Sequence, residues 1–265
     1  MPRTSRNGLS KPFIVVGVLV GAFCVAYAAL FLAAMTVHRE DSTTQTYSDV
    51  RHLRVKGGEG DITVIAEARD DVQVVARREW SLAEPEIKQG FDEDGKLTLS
   101  GSCGFVGSIG PSGCETDFEL RVPLDLTLDV RGSSGDVTAR GLAADAYLCT
   151  SSGDLRAIDV TGPLRVAVSS GDVTVEGYGG RTVSAHGSSG DVVVRTRAVP
   201  DRVEAVTSSG DVTVAVPGTA TYDVVTDTSS GDQSVDVDQS RDAPRRIDAR
   251  TSSGDVRVVR LGDAR

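Results

Sequence analysis

Seven aspartates that recur every 18 to 23 residues are the residues of this sequence whose arrangement could support chemistry. The four-residue word Ser-Ser-Gly-Asp begins at positions 133, 151, 169, 188, 208, 229 and 252, and successive copies lie 18, 18, 19, 20, 21 and 23 residues apart. If equivalent segments stack as neighbouring strands ~4.8 Å apart, the carboxylates fall in one column. Carboxylate oxygens bind hard cations such as Ca²⁺, so a cation ladder is one interpretation of this column.

A purely structural role for the same word is the interpretation that we favour. Glycine supplies the positive φ of a tight corner, and Ser and Asp can hydrogen-bond the exposed amides of their own turn. Calcium-binding solenoids use Gly-Gly-x-Gly-x-Asp on a nine-residue period, and this sequence has neither feature. The predicted structural turn residues are Gly135, Asp136, Gly153, Asp154, Gly171, Asp172, Gly190, Asp191, Gly210, Asp211, Gly231, Asp232, Gly254 and Asp255.

The four cysteines predict one disulfide. Cys103 and Cys114 flank a segment rich in Gly and Ser, and a disulfide between them would pin a segment that has no apolar core of its own. Cys24 lies in an apolar run and Cys149 in an apolar-rich strand, so both are expected to be unpaired. A zinc site would need further ligands at close spacing, and the sequence offers none.

Catalytic signatures are missing from the sequence. His38, His52 and His186 are the only histidines, and none has metal-ligand spacing or a nucleophile motif beside it. Gly-x-Ser-x-Gly, Ser-x-x-Lys, Walker and Rossmann fingerprints are absent, and turns account for the many serines. We therefore predict a protein that is not an enzyme, with no cofactor, no catalytic residue and no dedicated metal site.

The residues around each Ser-Ser-Gly-Asp word alternate between apolar and polar side chains, as in β-strands with one buried face. Each repeat is therefore predicted to consist of a strand, a fixed turn, a second strand and a second corner of variable length. No repeat can bury its own apolar edge, so we predict an all-β fold in which repeats stack as a β-solenoid of the single-stranded β-helix type. An antiparallel meander or sandwich is the alternative. Arg257 and Arg260, in the last strand, are expected to discourage edge pairing.

The seven repeats define a β domain over residues 127–261. Residues 47–126 are expected to be an irregular beginning of the same construction, because Gly60-Asp61-Ile62-Thr63-Val64 repeats the Gly-Asp-apolar pattern. A separate small domain over that region is the alternative.

The N-terminal segment predicts membrane attachment. Residues 13–37 carry no charge, and a helix of 25 residues is roughly 37 Å long, enough to cross a ~30 Å hydrocarbon core with tilt. We predict a cytoplasmic tail over residues 1–11, a transmembrane signal-anchor helix over residues 12–37 and a polar stalk over residues 38–46. Basic residues precede the span and none is in excess after it, so the remainder should be extracytoplasmic. Cleavage after Ala26-Tyr27-Ala28 is the alternative.

The charge of the chain argues against nucleic-acid binding. The net charge is −10, and the first eleven residues contribute three cations and no acid, so the rest of the chain is near −13. A surface of that sign repels phosphate backbones, and no basic stripe with interleaved aromatics offsets it.

The sequence resembles a bacterial family of β-strand repeat proteins of unknown function, described as putative adhesins and including cell-envelope stress accessory proteins. The resemblance depends on Arg121-Val122-Pro123-Leu124, followed by apolar alternation into Gly132-Ser133-Ser134-Gly135-Asp136-Val137, and covers roughly residues 47–261. It implies an adhesin or envelope scaffold whose partner is a protein or a wall polymer outside the cell. An accessory sensor of envelope stress that acts on a membrane regulator is the alternative function.

Overall fold

The structure is a computed structural model, and it describes residues 11–36, 39–81, 84–103 and 114–262. It contains one helix, α1 (Lys11–Thr36), whose side chains are described at residues 15–29. The strands are β1 (Arg39–Ser48), β2 (His52–Lys56), β3 (Ile62–Glu67), β4 (Asp71–Trp80), β5 (Glu86–Phe91), β6 (Lys96–Ser102), β7 (Glu115–Pro123), β8 (Thr127–Ser134), β9 (Val137–Arg140), β10 (Ala146–Ser152), β11 (Leu155–Ile158), β12 (Leu164–Ser170), β13 (Val173–Tyr178), β14 (Thr182–Ser189), β15 (Val192–Thr196), β16 (Arg202–Val206), β17 (Val212–Val216), β18 (Asp223–Asp227), β19 (Gln233–Asp236), β20 (Arg246–Arg250) and β21 (Val256–Arg260).

Two long sheets face each other across one core. Sheet A has the strand order β1-β4-β7-β3-β9-β11-β13-β15-β17-β21-β19, and sheet B has the order β18-β20-β16-β14-β12-β10-β8-β2-β6-β5. Each repeat places its first strand in sheet B and its second strand in sheet A, and the Ser-Ser-Gly-Asp corner joins them. We call such a strand pair a rung. The strands of neighbouring rungs are parallel, and the predicted β-solenoid is confirmed.

The core consists of the apolar columns that the two-residue period predicts. Val166 on β12 pairs with Leu148 on one side and Ala185 on the other, and Val175 on β13 lies beside Ala157 and Val194. These side chains are almost fully buried. Each apolar side chain covers the inward side chain of the neighbouring rung. Burial of one Val or Leu side chain stabilises the fold by about 1.5–3 kcal/mol before the loss of chain entropy is subtracted.

The rungs do not stack in chain order at either end. The seventh repeat, β20 and β21, lies between the fifth, β16 and β17, and the sixth, β18 and β19. Burial explains this order. The sixth repeat carries Thr226 and Gln233 at inward positions where the other repeats carry apolar residues, whereas the inward side chains of the seventh are fully buried. Removing these polar side chains from water would be costly, so the polar rung lies at the end of the stack.

Because of this order, the expectation that Arg257 and Arg260 lie in an edge strand is wrong. β21, with Arg257 and Arg260, is an interior strand, and the edges of the two sheets at this end are β18 and β19. The Thr226 hydroxyl donates to Gln233 Oε1 at 2.7 Å and links the two sheets across the end rung. The stack is therefore closed at this end by a hydrogen bond.

At the N-terminal end, too, the rungs do not stack in chain order. The rung formed by β2 and β3 is inserted between the rung of β6 and β7 and the first Ser-Ser-Gly-Asp repeat. Beyond β6 and β7 the chain changes to antiparallel pairing, with β4 and β1 extending sheet A and β5 extending sheet B. Residues 47–126 thus continue the same two sheets.

The predicted stalk is wrong for residues 39–46. They form most of β1, which pairs antiparallel with β4 from Arg39↔Trp80 to Ser48↔Asp71. The segment is polar because β1 is an edge strand with most of its side chains in solvent, and the backbone groups that face β4 are satisfied by the ladder between the two strands. Polar composition alone does not distinguish such a strand from a linker.

Among the residues that the structure describes, no helix meets the combined requirement of length and apolarity for a membrane span. The predicted tail over residues 1–11 lies outside the described residues except for Lys11, where α1 begins.

Candidate functional site

The glycine of each Ser-Ser-Gly-Asp word lies at the corner between the two sheets. All seven have positive φ, from 113° at Gly135 to 145° at Gly231. A Cβ atom at Gly171 would lie 2.2 Å from the carbonyl oxygen of Gly153 in the neighbouring rung, which is far inside van der Waals contact. Glycine is therefore required here for two reasons: the backbone conformation and the close approach of successive corners.

The aspartate of each word bonds the neighbouring rung. Asp172 N–H donates to Asp154 Oδ1 at 2.9 Å, and Asp191 N–H donates to Asp172 Oδ1 at 2.8 Å. The same bond links nine aspartates, which we call the Asp column, in the spatial order Asp117, Asp61, Asp136, Asp154, Asp172, Asp191, Asp211, Asp255 and Asp232.

The hydrogen-bond partners of the aspartate carboxylates differ from the prediction. We expected each carboxylate to cap its own turn, but it accepts from the next rung. The amides on either side of Asp172 bond backbone carbonyls, since Gly171 N–H donates to Ser189 O and Val173 N–H to Asp191 O. At this one position of the corner, a carboxylate oxygen thus replaces the backbone carbonyl as the acceptor of the interstrand hydrogen bond. The column contains two more members than the seven repeats predict, Asp61 and Asp117.

The cation interpretation of the column gains no support from its neighbours. Each of eight carboxylates in it already uses Oδ1 for the interstrand bond. Across residues 11–36, 39–81, 84–103 and 114–262, no group of three or more His, Cys, Asp or Glu side chains is arranged to hold a metal ion. The column acts in this structure as a ladder of hydrogen bonds along one edge of the stack.

A second ladder, made by threonines, was not predicted. Thr150, Thr207 and Thr251 immediately precede their Ser-Ser-Gly-Asp words, and their hydroxyls donate to the carbonyl oxygens of corner glycines in the adjacent rung at 3.0–3.2 Å. The signal was present in the sequence, because threonine occupies this position in four of the seven repeats. These hydroxyls satisfy the carbonyls that the close approach of the corners buries.

Two of the four cysteines form a disulfide. Cys103 and Cys114 are joined by a disulfide with their Cα atoms 5.8 Å apart. Cys24 and Cys149 are free, and the side chain of Cys149 is half-buried on the outer face of sheet B. The disulfide lies at the N-terminal end of the stack, where β6 ends and β7 begins, and it closes the connection between them.

One cluster on the outer face of sheet B resembles a nucleophile and its base. Ser184 Oγ lies 3.1 Å from His186 Nε2, and Glu204 Oε1 lies 3.6 Å from the same nitrogen. In a Ser-His-acid triad the carboxylate bonds the ring nitrogen opposite the nucleophile, where it orients the imidazole. Here the serine and the glutamate compete for one nitrogen, so the cluster lacks the geometry of a proton relay.

The outer face of sheet B also carries a basic surface. Four cations project outward from three strands: Arg54 and Lys56 from β2, Arg131 from β8 and Arg165 from β12. Tyr147 projects from β10, which lies between β8 and β12. We call these five residues, with Asp129, the sheet B patch. Four strands at ~4.8 Å spacing give it a width of about 14 Å. The sequence did not reveal it, because its members are about 110 residues apart in the chain and only the register brings them together.

Asp129 organises this patch. Its carboxylate accepts from Arg54 Nε at 2.8 Å and from Arg131 Nε at 2.9 Å, and its side chain is only 10% exposed. Burial raises its pKa, but the hydrogen bonds and charges of Arg131 and Arg54 outweigh burial and hold the pKa of Asp129 below its usual value. The Arg131 guanidinium lies over the ring of Tyr147 at 5.4 Å, which fixes its position. The result is a pre-oriented surface with a net charge of +3, from four cations and one carboxylate.

Comparisons with known structures find similar proteins of low sequence identity. A putative adhesin from Bacteroides fragilis shares 16% identity, with a TM-score of 0.52 over 84% of this chain and 97% of that one. A putative cell adhesion protein from Clostridium sporogenes shares 9% identity, with a TM-score of 0.41 over 84% of this chain and 100% of that one. The comparison with curated proteins gave no significant match.

The model of the Toastrack DUF4097 family matches residues 127–259. The matched segment begins at the first strand of the first Ser-Ser-Gly-Asp repeat and ends in β21, so it contains all seven corners, the threonine ladder and seven of the nine members of the Asp column. It covers half of the chain. The chain therefore belongs to the Toastrack DUF4097 family.

Proposed function

We propose that this protein is a membrane-anchored, extracytoplasmic adhesion or scaffolding module of the cell envelope that binds an anionic wall polymer through the sheet B patch. The observation that carries the proposal is the charge of the patch, which is +3 in a chain whose net charge is −10. An exposed surface whose sign opposes that of the whole chain selects a negatively charged partner, because the rest of the surface repels it.

The architecture suits binding of an extended partner. The patch lies on rigid strands, and the ladder of Asp and Thr side chains reinforces the stack along its edge. Arg131 and Arg54 are held in place by Asp129, so little side-chain entropy is lost when a ligand binds. Three of the four adjacent strands, β2, β8 and β12, present cations, so a polymer with repeated phosphate or carboxylate groups can contact several of them at once.

A non-catalytic role is consistent with the same face. The Ser184, His186 and Glu204 cluster has no relay geometry, and His186 is half-exposed rather than enclosed in a cleft that excludes water. Binding therefore accounts for this surface better than chemistry does.

The membrane anchor is supported by the sequence of α1 and by the exposure of its side chains. Residues 13–37 carry no charge. The described side chains of Leu19, Phe23 and Val25 are 64–71% exposed and do not pack against the β domain. An aqueous environment would not favour this exposure, whereas a bilayer would. The basic residues before the helix orient the N-terminus toward the cytoplasm.

Binding of a purified anionic wall polymer to the full-length protein in lipid nanodiscs tests the proposed partner. The double variant Lys56→Glu/Arg165→Glu changes two exposed cations of the patch and should weaken polymer binding at least tenfold. Arg156→Glu/Arg257→Glu, on the outer face of sheet A, is the matched control and should stay within twofold. Binding should also weaken as salt is raised from 0.05 to 0.5 M, since exposed charges are screened.

Equal loss of binding in both double variants would reject the patch. Absence of polymer binding, with a membrane kinase or another regulator as the main crosslinked partner in intact cells, would favour the sensor function instead. Orientation is tested separately by protease added to intact cells, which should remove the β domain and leave α1 in the membrane.

A further inference from the structure

The N-terminal end of the stack contains a cavity between the two sheets. Its volume is about 210 Å³. Val74, Ala76, Leu99 and Phe118 form its inner wall, and all four are nearly fully buried. β1 and β5 close it from the end. The cavity is independent of the sheet B patch, which lies on the outside of the stack.

The sequence explains why the core is incomplete at this position. Ala76, an inward residue of β4 that lines the cavity, has a small side chain. Three of the cavity-lining residues on the two end strands are polar: Thr43 and Gln45 on β1, and Gln89 on β5. Polar side chains do not fill an apolar core, so the end strands cover the space without occupying it.

The outer boundary of the cavity is polar and hydrogen-bonded. The Tyr47 hydroxyl is hydrogen-bonded to Gln45 and to Gln89, which joins β1 to β5 across the end of the stack. This bridge is the counterpart of the Thr226 and Gln233 bond at the other end. At the C-terminal end, however, the space beneath the polar bridge is filled by the packed side chains of the seventh repeat.

Arg78 provides a polar group with unused bonding capacity in the cavity lining. One of its terminal nitrogens bonds Glu84 at 2.7 Å and the other bonds Asp41, but its buried Nε has no partner. A buried N–H without an acceptor is unfavourable, so a ligand that supplies an acceptor would gain a hydrogen bond here. Two carboxylates already balance the guanidinium charge, so a neutral oxygen is a better acceptor here than another anion.

We propose that this cavity binds the short alkyl chain of an uncharged amphiphile, whose hydroxyl or carbonyl oxygen accepts a hydrogen bond from Arg78 Nε. An apolar cavity of ~150 Å³ is enough to bind benzene. Benzene has six carbons, so that cavity provides ~25 Å³ per carbon, and by the same measure 210 Å³ accommodates about eight carbons. The ligand class is therefore a neutral compound with an alkyl chain of about six to eight carbons.

The single tryptophan of the chain is placed to report binding. Trp80 is buried on β4, and the Arg78 guanidinium lies 5.7 Å from the centre of its ring. A ligand that engages Arg78 should change the Trp80 fluorescence in a saturable way. The probe is 1-octanol, titrated into the full-length protein in lipid nanodiscs, with sodium octanoate as the charged comparison.

The expected result is a saturable change with 1-octanol and at least tenfold weaker binding of octanoate, because Asp41 and Glu84 repel its carboxylate. Ala76→Leu fills the cavity and should weaken octanol binding at least tenfold. Ala167→Leu, on the outer face of β12, makes the same change away from the cavity and should leave binding within twofold of the unmodified chain. Both variants experience the same partition of octanol into the nanodisc lipid.

A second variant covers the outcome in which Ala76→Leu disturbs folding. Ile87→Ala enlarges the cavity from β5, and the chain length that binds best should then shift from about eight carbons toward ten. A response that does not saturate, an equal response in Ala76→Leu and the unmodified chain, or the same chain-length preference in Ile87→Ala would each overturn the proposal.

Discussion

Replacement of Gly171 by alanine tests the physical basis of the stack. Gly171 has a φ of 130°, outside the left-handed region that L residues can enter, and its Cβ would lie 2.2 Å from Gly153 O and 2.7 Å from Gly153 C. The backbone conformation costs about 1–3 kcal/mol, and forcing a methyl group into packed structure costs about another 1–3 kcal/mol. We expect Gly171→Ala to lower the free energy of unfolding by about 2–6 kcal/mol.

Two further glycines separate these contributions. Gly141 has a φ of 75°, and its nearest atom to a new Cβ is Ala66 O at 3.2 Å, so Gly141→Ala should show mainly the backbone contribution, about 1–2 kcal/mol. Gly90 has open space around it, so Gly90→Ala should change stability by less than ~0.5 kcal/mol.

Chemical denaturation of the full-length protein in detergent micelles, followed by far-ultraviolet circular dichroism, measures all three variants. The expected order, from most to least destabilised, is Gly171→Ala, Gly141→Ala and Gly90→Ala. Equal midpoints for Gly171→Ala and Gly90→Ala would show that neighbouring corners can separate without cost, and the explanation for the invariant glycine of the word would be wrong.

Three other results are expected. Asp172→Ala leaves the Asp191 amide without its acceptor and should cost about 1–3 kcal/mol, whereas Asp172→Asn retains an oxygen and should cost less than half as much in the same denaturation assay. Burial raises the pKa of Tyr178 to about 12, above the unfolded value near 10, so stability that is present below pH 10 should be lost as the pH rises toward 12, by up to about 3 kcal/mol. Tyr178→Phe should remove that part of the pH dependence of the denaturation midpoint. Thr226→Val/Gln233→Val makes the terminal rung apolar and should raise the average mass in sedimentation velocity relative to the unmodified chain, and an unchanged mass would show that the polar bridge does not prevent end-to-end association.

The polar bridges at the two ends connect these predictions. A solenoid must end somewhere, and an apolar end rung would offer its core and its strand edges to another molecule. Tyr47 with Gln89 at one end and Thr226 with Gln233 at the other place hydrogen-bonding groups at inward positions of the terminal strands. The N-terminal bridge leaves the cavity beneath it, and that difference is why we propose a ligand site at one end only.

The features that the sequence specified are those with a local cause. The two-residue alternation around each turn identifies the inward columns, because neighbouring side chains on a strand must point to opposite faces. Gly171 and its equivalents could be predicted at corners, because only glycine adopts their φ without strain. Cys103 and Cys114 could be paired because few residues separate them.

The order of the rungs, the partners of the aspartates and the sites on the surface depended on tertiary structure. Any two rungs of similar pattern can stack, so the alternation does not predict that the seventh repeat lies between the fifth and the sixth. Only a comparison of Thr226 and Gln233 with their apolar equivalents could have suggested this order. The Asp172 carboxylate bonds Asp191 because stacking brings a distant amide within reach, and Arg54 meets Asp129 only through the strand register. Local sequence determined how each rung is built, and the packing of rungs from distant parts of the chain determined which surfaces and cavities the protein presents.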